Sequence, residues 1–390
     1  MLAEQTLRAI RHQLPALRHG VYLNTGTAGP LPEPAADALQ ETFAHELAQG
    51  RIDPATWKDH QRLREEVRGR LASLLRTTAE RIALTHHTTD GLLHAALGLT
   101  WRPGDIVVTT DCEHAAVQCV VGMLRVREQA TVRLVRLRGV DSRQEAVRRF
   151  TQALDHRVRA VFLSHVSYAH GGVMPVEEVA EIAHRVGAWV VVDGAQAVGA
   201  IAVDPERIGA DLYALSGQKW LCGPEGTGAL WVREGREDEL RPAAVGFASV
   251  QQVADDGYFL PHRGARRMEV GTVFAPGLTG WAASLAWLEA IGWEDVWART
   301  AQLAERARRS LLALDGVEVL TPVEHAGLVS FRLQGRAAEP AVEELRRRGF
   351  WVRSIPGWDA VRISCGFFLE EEEIDRFVQA VAALCRQEEA

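Results

Sequence analysis

Two stretches, 188-AWVVVDGAQAVG-199 and 211-DLYALSGQKWLCGPEGTGALWV-232, decide how this chain folds. The first is an apolar run that ends on a carboxylate, Asp193, and then turns to small residues. The second holds two apolar runs, DLYALS (211–216) and GALWV (228–232), joined by a glycine-rich turn that carries Lys219. Short unbroken apolar runs bounded by turn residues read as strands buried on both faces, the pattern of a sheet covered by helices.

Working outward, further runs of the same kind are RIALT (81–85), DIVVTT (105–110), VRLVRL (132–137) and AVFLSH (160–165). Helical patterns fill several gaps, VEEVAEIAHRVG (176–187) among them. Strands alternating with helices predict βαβ units and an α/β fold around a mostly parallel seven-stranded sheet. Such sheets bind ligands at the C-terminal ends of their strands. Residues 34–76 read as helical, and the N-terminus as an ordinary first helix. The segment 246–264 reads as the one long irregular stretch, a loop near the site. From about 277 long helices lead into short strands and a closing helix, EEEEIDRFVQAVAALCRQ, which predicts a smaller α+β domain.

Composition narrows the function. The 390 residues carry a formal charge of −7 and are 47% hydrophobic. Mild acidity gives no electrostatic attraction for nucleic acid, and no apolar run reaches the length of a membrane span. Cys112, Cys119, Cys222, Cys365 and Cys385 form no C-x-x-C pair, so neither disulfides nor a zinc site is expected, and a cytoplasmic setting fits. Of the 44 Lys and Arg residues, only Lys58 and Lys219 are lysine. Against that bias a retained lysine points to chemistry that arginine, always protonated, cannot do. Lys58 lies in a polar helical stretch and reads as surface. Asn24 is the sole asparagine.

Several polar residues fall at the predicted strand ends. Asp193 suits either a helix cap or a partner for a protonated pyridine nitrogen. Lys219, in a desolvated turn flanked by Ser216 and Gln218, suits a Schiff base. Thr88 and Thr89 open a helix after a strand, where free N–H groups cap the helix or hold a phosphate. His86 and His87 beside them either line the site or are surface turn residues, the second being the simpler reading. Glu113-His114 opens another helix, where the imidazole is either structural or stacked on a pyridine ring. Arg362, in an apolar strand, needs an anion: an internal carboxylate, or the α-carboxylate of a substrate.

In this order along the chain, from VYLNTGTAGPLP to EEEEID, the motifs resemble the class V aminotransferase family of fold-type I pyridoxal-5′-phosphate (PLP) enzymes. The resemblance implies a large PLP-binding domain over 31–276, a smaller domain over 277–390, and an N-terminal segment, 1–30, packed with the smaller domain. It implies Lys219 as the Schiff-base lysine, Asp193 on the pyridine nitrogen, His114 on the ring and Gln196 near the phenolic oxygen. Thr88, Thr89, Ser216 and Gln218 would surround the phosphate. Thr272 resembles the residue that reaches the neighbouring subunit's phosphate, which implies a homodimer with shared sites. Arg362, Asn24 and Tyr168 would meet a small amino-acid substrate. Two residues depart from the family pattern: Gln218 stands where histidine is usual, and Tyr168 where many members carry asparagine.

The region before Arg362, VRSIPGWDAV, lacks the loop cysteine of cysteine desulfurases. The outline instead resembles cyst(e)ine C–S lyases, with β-elimination to pyruvate, ammonia and a thiol or persulfide as the implied reaction. Desulfurase-like sulfur transfer, isopenicillin-N-epimerase-like epimerisation and transamination remain the neighbouring readings. From another class comes a catalytically silent binding protein, which the retained Lys219 argues against.

Overall fold

The computed structural model describes residues 2–52 and 54–386. All seven apolar runs form strands: β1 (Ile82–Thr85), β2 (Ile106–Thr110), β3 (Thr131–Val135), β4 (Val158–Ser164), β5 (Trp189–Asp193), β6 (Leu212–Ser216) and β7 (Gly228–Val232). They make one sheet in the order β1-β7-β6-β5-β4-β2-β3. Strand β7 runs antiparallel to both neighbours, and every other pair is parallel. The reason lies in the connection. A parallel return needs a crossover of a dozen or more residues, usually a helix, and the Lys219 turn between β6 and β7 contains none. Every residue of β1, β2, β5, β6 and β7 is buried, as unbroken apolar runs require.

Helices α1 (Glu4–His12), α2 (Glu33–Gln49) and α3 (Pro54–Leu74) precede the sheet. Helices α4 (Thr88–Gly98), α5 (Ala115–Arg127), α6 (Arg143–Ala153) and α7 (Val176–Arg185) connect its strands. The helical pattern over 34–76 is therefore two helices. Gly50, at φ 79°, ends α2 in a conformation that costs other residues energy, and α3 begins at Pro54. The stretch 246–264 holds an antiparallel hairpin, Val250–Val253 with Phe259–Pro261, rather than an irregular loop. Its Asp256-Gly257 turn is a hairpin signal masked by the polar residues around it.

Helix α8 (Ala275–Ile291) packs on α2 and α3, and the Ser284 hydroxyl donates to the Leu221 carbonyl at 2.7 Å. Gly292 separates it from α9 (Trp293–Leu312). Beyond it, β8 (Val317–Val319), β9 (Leu328–Leu333), β10 (Arg353–Ile355) and β11 (Ala360–Ser364) form an antiparallel sheet in the order β8-β9-β11-β10, with α10 (Ala338–Arg347) and α11 (Glu371–Arg386). The N-terminal segment lies on these elements. Val21–Tyr22 pairs in parallel with Phe350–Trp351, and Arg11 meets Glu373 at 2.8 Å. Among the described residues no helix is long and apolar enough to cross a membrane.

Candidate active site

The polar residues at the strand ends converge on one cavity of about 250 Å³. Asp193 closes β5, and Lys219 stands in the turn after β6. Thr88 and Thr89 open α4 after β1, His114 caps α5 after β2, and Tyr168 follows β4. All six line the cavity, together with Gln196, Ser216 and Gln218 from the large sheet's loops. Arg353 and Arg362 enter from β10 and β11, and Gly26 and Thr27 from the N-terminal segment.

The Asp193 carboxylate is buried, and its Oδ1 accepts the Ala195 N–H at 2.9 Å. Small residues after it are a packing requirement. A Cβ on Gly194 would stand 2.0 Å from the Tyr213 ring. Desolvation pushes the Lys219 ammonium down to about 8; Asp193 opposes the shift, and Arg362 and Arg353 add to it. Lys219 is therefore an amine that can shed its proton near neutral pH.

Arg362 is 1% exposed and has no ion pair among the described residues. It donates to the Tyr168 carbonyl at 2.9 Å and the Thr27 hydroxyl at 3.3 Å, while its Nε has no partner. Burial, then neighbouring Arg353, pushes it down to about 9. No carboxylate among the described residues forms the internal salt bridge, and an anion in the cavity would supply the partner this cation lacks. Arg353 is only half-buried. It donates to Thr27 at 3.2 Å, and burial lowers its pKa.

At the other end, the Thr88 and Ser216 hydroxyls share a short hydrogen bond, and the Thr88 N–H donates to Ser216 at 3.3 Å. Gln218 Oε1 is buried without a partner. Gln196 is held on both sides, donating to the Gly26 carbonyl at 2.8 Å and accepting from Trp220 Nε1 at 2.9 Å. His114 Nδ1 accepts the Ala116 N–H at 3.2 Å, and its ring meets Tyr168 edge-on at 4.9 Å. Burial, with Lys219 nearby, lowers its pKa and favours the neutral imidazole. An amine, a buried carboxylate, a flat ring and a hydroxyl-lined helix N-terminus around one cavity fit a phosphorylated pyridine aldehyde.

Some expectations shift. Asn24 does not line this cavity; its Oδ1 accepts the Thr27 hydroxyl at 2.7 Å, and it borders an adjoining cavity together with Thr27 and Arg353. His87, read as a surface residue, is exposed but borders the cavity and caps α4, accepting the Asp90 N–H at 3.0 Å. Thr272 is exposed and outside the cavity wall of its own chain. Lys58 is exposed on α3. No cysteine lines the cavity, and Cys365 is buried just past β11, its thiol pushed up to about 12. Sequence reading passed over Thr27 and Arg353. Arg353 opens the short, half-buried strand RSI, which has no apolar run for a charge to interrupt, and arginine is so common here that its presence gave no contrast.

The family model described as "Aminotransferase class-V" matches residues 21–377. A probable cysteine desulfurase of Methanothermobacter thermautotrophicus is 32% identical over 88% of this chain and 86% of its own length. Isopenicillin N epimerase of Streptomyces clavuligerus is 33% identical over 93% of this chain and 94% of its own. Among solved structures, the complex of the cystine C–S lyase C-DES with its reaction product cysteine persulfide superposes with a TM-score of 0.90 at 29% identity, over 95% of this chain and 99% of that one.

Proposed function

The chain belongs to the class V aminotransferase family of PLP-dependent enzymes, and from that premise we propose that it is a carbon–sulfur lyase. It acts on cystine, cysteine or a cysteine S-conjugate and releases pyruvate, ammonia and a thiol or persulfide. The observation that carries this reading is a pair of guanidinium groups, Arg353 and Arg362, with no ion pair among the described residues, in a cavity that no cysteine lines. Two cations can receive two carboxylates, as the two halves of a disulfide amino acid present. Without a cysteine in the cavity, no thiol is positioned to keep the sulfur on the protein. Similarity to C-DES points the same way.

Lys219 would hold the cofactor covalently, Asp193 its ring nitrogen, His114 and Gln196 the ring, and Thr88, Thr89, Ser216 and Gln218 its phosphate. When bound, PLP supplies an electron sink for the carbanion left by proton removal. The rest falls to the chain's own groups. Arg362 anchors the substrate α-carboxylate through its planar fork and so turns the Cα–H bond towards Lys219. Lys219 Nζ would be the group that takes that proton, which its depressed pKa permits. Asp193 would keep the ring nitrogen charged. Thr27, held by Asn24, steadies both arginines, and the Tyr168 carbonyl fixes Arg362.

The same reading includes a homodimer with shared sites. Thr272 lies next to exposed Val270 and Phe274, with exposed Phe247 beside Gly271, and exposed apolar side chains around it support this reading. It also includes an N-terminal segment over 1–30, a cofactor-holding domain and a smaller C-terminal domain. The large domain is taken over 31–276 and the smaller one over 277–390, with α8 packed on α2 and α3 of the large domain.

The deciding experiment mixes the holoenzyme with cystine, cysteine and S-substituted cysteines and measures all products. Pyruvate with ammonia is expected. Alanine with a protein-held persulfide would establish a desulfurase instead, and inverted amino acid with solvent exchange at Cα an epimerase.

A further inference from the structure

Glu113 is 2% exposed, carries no cationic partner among the described residues and does not line the cavity. Such a carboxyl is costly to bury. Burial, with Asp193 adding, pushes it up to about 7. Its partners explain why it is held there. Oε1 accepts the Thr110 hydroxyl at 2.6 Å, at the end of β2. Oε2 accepts both the N–H and the hydroxyl of Ser164, at 2.9 and 2.5 Å, at the end of β4. The Gln118 side chain, one turn into α5, donates to the Glu113 carbonyl at 3.1 Å.

Two neighbours give this clamp its direction. His114, the next residue, caps α5 and borders the cavity. Ser164 is the register partner of Asp193 on the adjacent strand. The path His114–Glu113–Ser164–Asp193 therefore joins the side chain on one wall of the cavity to the carboxylate on another. Covalent bonds, two hydrogen bonds and one rung of the sheet complete it.

We propose that Glu113 is a positioning residue that sets the height and tilt of the His114 imidazole relative to Asp193, and so the seat of the cofactor ring between them. The inference rests on the reading that His114 lies on that ring. Gln keeps the shape but not both contacts as they stand. With Oε1 on Ser164, its Nε2 donates to the Thr110 hydroxyl, which must turn from donor to acceptor while it already accepts the Cys112 N–H.

The test measures cofactor dissociation by equilibrium dialysis and the visible circular dichroism of the bound chromophore. The proteins are the wild type, Glu113→Gln, His114→Ala and the double variant. Glu113→Gln should weaken cofactor binding about tenfold, the scale of one mismatched buried hydrogen bond, and diminish the dichroism. In the His114→Ala background the same change should cost less than about twofold, since its effect passes through the imidazole. Ser164→Ala, which keeps the backbone donor, should show a smaller loss that vanishes likewise, and it stands in if Glu113→Gln does not fold. Full additivity of Glu113→Gln with His114→Ala, or an unchanged Glu113→Gln protein, overturns the proposal alone. A His114→Ala protein with normal affinity and dichroism overturns the ring reading and this inference with it.

Discussion

Arg353 and Arg362 stand directly opposite one another on antiparallel strands β10 and β11, both at the cavity wall and neither ion-paired among the described residues. Like charges in facing positions oppose folding, and a bound dianion removes that opposition. Arg362→Met should raise KM for every substrate by a factor matching about 1.5–3 kcal/mol of charge-assisted contact. Arg353→Met should raise KM for cystine far more than for S-methylcysteine, which has no second carboxylate. In thermal unfolding of the ligand-free protein, Arg353→Met should be at least as stable as the wild type. Equal KM effects on both substrates would refute the two-carboxylate arrangement.

The Lys219 amine, lowered to about 8 by desolvation, sets how the cofactor-free protein takes up PLP. Only the neutral amine attacks the aldehyde, so the recombination rate should rise with pH and level off above about 8. Removing Arg362, which helps lower this pKa, should move that midpoint upward. Borohydride should fix the label on Lys219 and not on Lys58. Lys219→Arg should take up no covalent label, because a guanidinium cannot form the imine.

Asp193→Asn keeps the size of the side chain and the Oδ1 acceptor for Ala195, but loses the charge. Turnover should fall at least about a hundredfold, the scale of one preorganised electrostatic contact, with far-UV dichroism unchanged. A variant with near-normal kcat would show that Asp193 is only a turn cap.

The cysteines can all be replaced if sulfur leaves directly. Cys112, Cys222 and Cys365 are buried with raised thiol pKa values, the opposite of a reactive thiolate. A protein with all five changed to Ser or Ala should still form pyruvate from cystine at a rate within a few-fold of wild type. Loss of activity in a folded variant would restore the desulfurase reading.

Thr272 should serve the neighbouring chain. Lys219→Ala and a Thr272→Trp variant, each inactive alone, should regain part of the activity when mixed, unfolded and reassembled, because one hybrid site in the mixed dimer is intact. A fully active monomer in sedimentation velocity is incompatible with that arrangement.

The strands were the most legible part of the chain. Runs such as AWVVVD and GALWV are buried on both faces, so their apolar character was continuous and their ends were marked by polar turns. Lys219 stood out through contrast alone, as one of two lysines among arginines. Gly50 and the Asp256-Gly257 turn were less visible, because a single glycine amid polar residues breaks no apolar pattern.

What the sequence by itself determined was the sheet, the lysine in its turn, the carboxylate ending β5 and the threonines opening α4, since each depends on residues within a few positions of one another. Only the tertiary structure decided the rest. Arg353 meets Arg362 because a hairpin places them on facing strands. Asn24 touches the site through Thr27 and bridges Ser364 on the strand of Arg362. Glu113 becomes a clamp because Ser164, 51 positions away, ends the strand beside Asp193. A charge's partner is set by distance in space and by the absence of water. Neither is a property of its neighbours in the chain.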